Sequence, residues 1–134
     1  ALEQEGHDFA AAERLMLKGI AANPRSGQLA FEAGFLYFVR PGGRDYRQAA
    51  RYFAQASRQA DAPPQAARFA AFAGQQSGEL ALAYELWSEV AKTSPNRHLR
   101  DMAAREMRSI REAVESGHAQ RVVRHLPTPG VLFQ

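Results

Sequence analysis

The stretch "RDYRQAARYFAQASRQAD", residues 44–61, decides the fold, because it has two counterparts in the same chain. "HDFAAAERLMLKGIAANP" (7–24) and "GELALAYELWSEVAKTSP" (78–95) align with it without a gap. Phe9, Tyr46 and Leu80 share a column, as do Ala12, Ala49 and Ala83, then Met16, Phe53 and Trp87, then Gly19, Ala56 and Val90. The columns recur at helical spacing, so each block reads as an amphipathic helix with one small and one large residue facing inward at fixed positions. A repeat at this period means that one supersecondary unit is stacked several times. The extra residues between the first and second blocks sit in "RPGGRD", where Pro41, Gly42 and Gly43 lengthen a turn.

A partner helix precedes the second and third blocks. "LAFEAGFLYF" and "AARFAAFAGQQ" set small residues at matching positions, Ala30, Ala33 and Gly34 in one and Ala67, Ala70 and Ala71 in the other. Small side chains let one helix backbone approach another closely. In residues 29–39 the small residues and Tyr37 lie on one side, while Phe31, Phe35 and Phe38 gather about a quarter-turn away. The unit is therefore an antiparallel pair with two apolar faces to account for.

These pairs resemble the tetratricopeptide repeat, and Ala33, Gly34, Tyr37, Tyr46, Ala49, Phe53 and Ala56 carry the likeness best. It covers about residues 5–112. Pro24 and Pro95 fill the terminal proline column, while the middle unit has Asp61 there and Pro63–Pro64 just after. Gly74 stands where the family prefers an aromatic, which implies looser local packing. The resemblance implies an all-α fold, a right-handed superhelix of antiparallel helix pairs with about three repeats and a C-terminal capping helix over about 97–116. The organisation expected is a helical repeat domain over 1–117 and an extension over 118–134. The first unit has only its second helix, so the chain is expected to be cut from, or to follow, a longer array. Asp101, Arg105 and Arg108 suit the polar outer face of an end cap.

Repeats of this kind hold ligands on the concave surface lined by their first helices. By register the concave positions are Gln28, Phe31, Phe35, Phe38 and Val39, then Gln65, Arg68, Phe72, Gln75 and Gln76, then Leu99, Met102 and Glu106. The predicted partner-binding set is Phe31, Phe35, Phe38, Arg68, Phe72, Gln75, Gln76 and Met102. Four Phe rings exceed the apolar patch a monomer ordinarily tolerates. Burying them is worth roughly 6–12 kcal/mol gross, against an association cost of about 4–15 kcal/mol. That balance describes a reversible contact. The alternative is that a missing first helix, the N-terminal residues or a neighbouring chain permanently covers these rings, making the chain a structural assembly subunit. Family members that clamp a chaperone's C-terminal carboxylate use Lys, Asn and Arg at such positions. Phe and Gln prevail here with Arg68 the one cation among the stronger candidates, so an apolar or amphipathic segment is the better-matched ligand.

The chain of 134 residues has no cysteine, which removes disulfides, thiolate metal sites and cysteine nucleophiles. His7, His98, His118 and His125 are scattered, and neither a phosphate-binding glycine loop nor a nucleophile elbow is present; "GQQSG" sits where the repeat needs a turn. Trp87 falls in a packing column and reads as core. No enzyme activity, metal or cofactor is expected. Residues 92–134 hold eight Lys/Arg, including Arg105, Arg108, Arg111, Arg121 and Arg124, against four acids, Asp101, Glu106, Glu112 and Glu115. The chain's net charge is only +3, too small to drive strong phosphate binding, so an RNA-reading helical repeat is the lesser alternative. No long apolar run or leader-like start is present; a soluble, bacterial-looking interaction module is expected, cytoplasmic or periplasmic. After Gly117, "AQRVVRHL" has the pattern for two more helical turns before Pro127, Pro129 and Gly130. The closing "VLFQ" reads either as an apolar segment suited to the groove or as the remnant of a viral 3C-type protease cut.

Overall fold

A computed structural model describes residues 2–117, which form six helices and no strand. The expected extension over 118–134 lies outside the described residues. The chain divides into two compact units, one through Ala66 and one from Ala67.

The first unit contains α1 (Leu2–Ala22), α2 (Gly27–Phe38) and α3 (Tyr46–Ser57). Local chemistry sets their ends. Ser26 caps α2, its hydroxyl oxygen accepting the Leu29 N–H at 3.1 Å, and Asp45 caps α3 by accepting the Gln48 N–H at 3.0 Å. Between them the chain turns through Gly42, whose φ of 82° lies in the left-handed region open to glycine. The loop is tied back by the Asp45 N–H, which donates to the Tyr37 carbonyl at 3.0 Å.

The small face of α2 does what its composition predicts. Ala30, Ala33, Gly34 and Tyr37 are buried, and Gly34 lies so close to the Phe53 ring of α3 that a Cβ there would fall 2.5 Å from Cδ1. On α1, Phe9 meets Tyr37 edge to face with centroids 5.9 Å apart, and the Tyr37 hydroxyl donates to Glu13 Oε2 at 2.6 Å. Tyr37 also stacks on Tyr52 of α3 at 5.7 Å, so one residue ties three helices together. The Gly27 N–H donates to Asp61 Oδ1 at 2.7 Å, which joins the start of α2 to the turn after α3. Asp61 therefore has a bonding role in the column that Pro24 and Pro95 occupy elsewhere.

The second unit contains α4 (Ala66–Gln76) from its second residue on, α5 (Leu80–Thr93) and α6 (Arg97–Ser116). Gly78, with φ 82°, makes the α4–α5 turn. Asn96 caps α6 through the Leu99 N–H at 3.2 Å, and Gly117 ends that helix in the left-handed conformation at φ 75° and ψ 16°. The looser packing expected at Gly74 is not found. A Cβ added there would lie 3.5 Å from the Ala83 Cβ, an ordinary contact, because α5 approaches in the absence of a large side chain.

The aligned columns have matching environments in the two units. Ala49 and Ala83 are fully buried, Phe53 and Trp87 are the large buried residues, and Ala56 and Val90 are buried too. The all-α, helical-repeat-like character is thus visible in the packing as well as in the sequence. Equivalent residues of α1 are only half-buried, and Leu15, at 72% exposure, faces solvent.

Candidate functional site

The aromatic side of α2 is less open than its composition predicts. Phe38 is buried at 2% exposure, with edge-to-face contacts to Tyr46 and Phe53, both at 5.8 Å between centroids. Its ring closes the α2–α3 interface and belongs to the core. Phe31 is half-buried, 5.2 Å from the Phe53 ring, and packs on the small cluster of Ala30, Ala56 and Ala66. Phe35 is also half-buried, 6.1 Å from Phe38. Gln28, Glu32 and Val39 are exposed alongside, and Gln28 donates to Glu32 at 3.1 Å one turn on. The accessible part of this face is therefore Phe31, Phe35 and the exposed Val39, beside Gln28 and Glu32.

In the second unit Phe72 and Gln75 are fully buried, and Met102 is buried on α6. All three were expected to line a groove, and all three are interior. The reason is clearest at Gln75. Its Oε1 accepts a hydrogen bond from the Trp87 indole N–H, and its amide nitrogen donates to Glu106 Oε2 at 3.2 Å. An amide that links α4, α5 and α6 in this way is a satisfied core group. Arg68 and Gln76 stay half-buried. Arg68 rests over the Phe69 ring at 5.9 Å, and burial lowers its pKa from the ordinary arginine value. Of the eight predicted contact residues, Phe31, Phe35, Arg68 and Gln76 retain surface, the first two in one unit and the last two in the other.

Sequence reasoning passed over a second feature, an open apolar depression of about 430 Å³ between α5 and α6. Leu80, Ala81 and Tyr84 form one wall, and Ile110, Arg111, Val114 and Glu115 the other. Arg111 donates to the Tyr84 hydroxyl at 3.1 Å and lies over its ring at 5.9 Å. That hydrogen bond raises the guanidinium pKa above its ordinary value. Val114 is 59% exposed at the rim. The available signal was Ile110 and Val114 spaced four apart at the end of a helix otherwise read as a polar cap.

Among the described residues no group of three or more His, Cys, Asp or Glu is placed to hold a metal ion, and no helix is long and apolar enough to cross a membrane. Comparison with family models, with curated proteins and with solved structures gives no match.

Proposed function

We propose that this chain is a tetratricopeptide-like, non-catalytic interaction module whose stacked helix pairs form a right-handed superhelix and hold an apolar or amphipathic segment of a partner protein. The observation that carries the reading is the matching burial of the aligned positions of α2 and α3 in one unit and α4 and α5 in the other. In both, the small residues of the first helix are buried, Ala33 and Gly34 in α2 and the aligned Ala70 and Ala71 in α4. In both, the inward columns of the second helix are buried. Such units bury their cores between helices and leave the outer side of each first helix for ligands. On α2 that side offers Phe31 and Phe35, half-exposed rings with two torsions each, which bind at low entropic cost.

Phe35→Asp tests this reading better than a change at Phe72, because Phe35 reaches the surface and Phe72 does not. Wild-type and variant chains are immobilised and used for affinity capture from the source lysate, after circular dichroism shows equal helicity. A partner held by the wild type and lost by the variant, with binding little affected by added salt, supports an apolar contact on α2. Retention of the same partners by both chains refutes it, and salt-sensitive capture of RNA would favour the nucleic-acid reading.

A further inference from the structure

The three helices of the first unit are not equally embedded. α2 buries six residues and α3 five, whereas none of residues 8–22 of α1 is buried. Repeat register makes the contrast specific. Leu15 shares a column with Tyr52 and Leu86. Tyr52 stacks on Tyr37 and Leu86 is buried, while Leu15 faces solvent. What holds α1 is a seam along α2. Phe9 meets the Tyr37 ring, Glu13 accepts from the Tyr37 hydroxyl, and Arg40 lies over Phe9 at 5.2 Å. One turn from the end of α1, its backbone passes Leu29, whose Cδ1 would lie 3.8 Å from a Cβ added at Gly19. An element with few buried apolar contacts is the part of a fold that opens first.

We propose that α1 is a strap that leaves α2 as one unit while the α2–α3 pair stays folded, and that its opening presents the Tyr37 side of α2. The pair is complete without the strap. Phe53 is fully buried against Gly34, Phe31 and Phe38, all on α2, and Tyr37 keeps its stack on Tyr52. Neither end of α2 depends on α1. Ser26 caps the helix with its own hydroxyl, the Gly27 N–H donates to Asp61 in the turn after α3, and the Asp45 N–H holds the Tyr37 carbonyl at the far end. In the connection between α1 and α2, Pro24 has no N–H to continue a helix, so the joint is already a break. The strongest single link across the seam is the Tyr37–Glu13 hydrogen bond, 2.6 Å long and accepted by a carboxylate. It is the clasp of the strap, and both of its groups return to water when α1 leaves. The surface presented lies about a quarter-turn from the half-exposed Phe31 and Phe35.

Amide hydrogen exchange on the full 134-residue chain provides the test, each rate taken relative to that of the unstructured sequence. Residues 12–22 of α1 are expected to exchange at least about tenfold faster than residues 50–57 of α3, and with a weaker dependence on urea, because undocking one helix exposes less surface than unfolding the pair. Tyr37→Phe keeps the ring and removes only the hydroxyl, and is expected to speed α1 exchange about tenfold. Phe53→Leu separates the strap from global unfolding. It weakens the α2–α3 core, which stays intact when α1 opens alone, so it is expected to speed exchange in α3 and to leave α1 unchanged. Equal rates and equal urea slopes for α1 and α3 in the wild type overturn the proposal, and this comparison decides by itself if Phe53→Leu does not fold. Equal acceleration of both helices by Phe53→Leu overturns it as well. So does α1 exchange that Tyr37→Phe leaves unchanged, or that already runs at the unstructured rate in the wild type, since a strap must first be docked.

Discussion

Two helical glycines, one in each unit, should respond in opposite directions to the same substitution. Glycine in a helix interior costs about 1 kcal/mol relative to alanine, so Gly→Ala at an unobstructed site stabilises by that amount. At Gly34 the new Cβ would meet Phe53 Cδ1, Cε1 and Cγ at 2.5, 2.8 and 2.9 Å. Phe53 is fully buried and is held by the rings of Phe31 and Phe38, so it has little room to withdraw. Overpacking of this kind costs about 1–3 kcal/mol, which exceeds the propensity gain over most of its range. Gly34→Ala is therefore expected to lower stability, by up to about 2 kcal/mol. At Gly74 the nearest atoms to the new Cβ are 3.5 Å away, an ordinary contact, and Gly74→Ala is expected to raise stability by about 0.5–1 kcal/mol. Urea unfolding followed by far-ultraviolet circular dichroism reads both changes from the transition midpoints. The Gly34 loss should shrink in a Phe53→Leu background, where the clashing ring atoms are gone. A Gly34→Ala variant more stable than the wild type would refute the close α2–α3 approach, and destabilisation by Gly74→Ala would refute the α4–α5 spacing.

Trp87→Phe should cost about 1–3 kcal/mol for the Gln75 oxygen left without its donor, beyond the smaller volume lost. Replacing Gln75 by Leu in that background should restore part of the loss, and no recovery in urea unfolding would show that the amide is not paired as described. Tyr37 gives a pH signature. Burial, with the Glu13 carboxylate as hydrogen-bond partner, holds its phenol pKa well above the ordinary value. Folded and unfolded chains both keep that proton below pH of about 10, the ordinary tyrosine pKa. Above it the unfolded chain releases the proton first, so stability falls as pH rises, by at most about 1.4 kcal/mol per pH unit for this group. Tyr37→Phe, less stable at neutral pH, should close its gap with the wild type above that point. A gap constant from neutral to strongly alkaline pH in thermal unfolding would contradict the buried phenol.

The repeated columns determine that helices form, where the turns fall and which residues face inward. Spacing alone is enough for this, since Ala49, Phe53 and Ala56 must share one side of any helix that contains them. The close packing of the small face of α2 was equally legible, because a run of Ala and Gly has no other means of burying its backbone against a neighbour. Capping was local as well, with Ser26, Asp45 and Asn96 each within three residues of the N–H they accept. The candidate binding face was only partly legible. Helical phase places Phe38, Phe72, Gln75 and Met102 at an angle around an axis, but it does not say whether another helix covers that angle. Only the tertiary structure decided that Phe38 completes the α2–α3 core, and that Gln75 joins Trp87 to Glu106 across two helix contacts. The depression between α5 and α6 has the same origin. Burial is a property of pairs of elements brought together, and one chain's periodicity carries only each element's half of the contact.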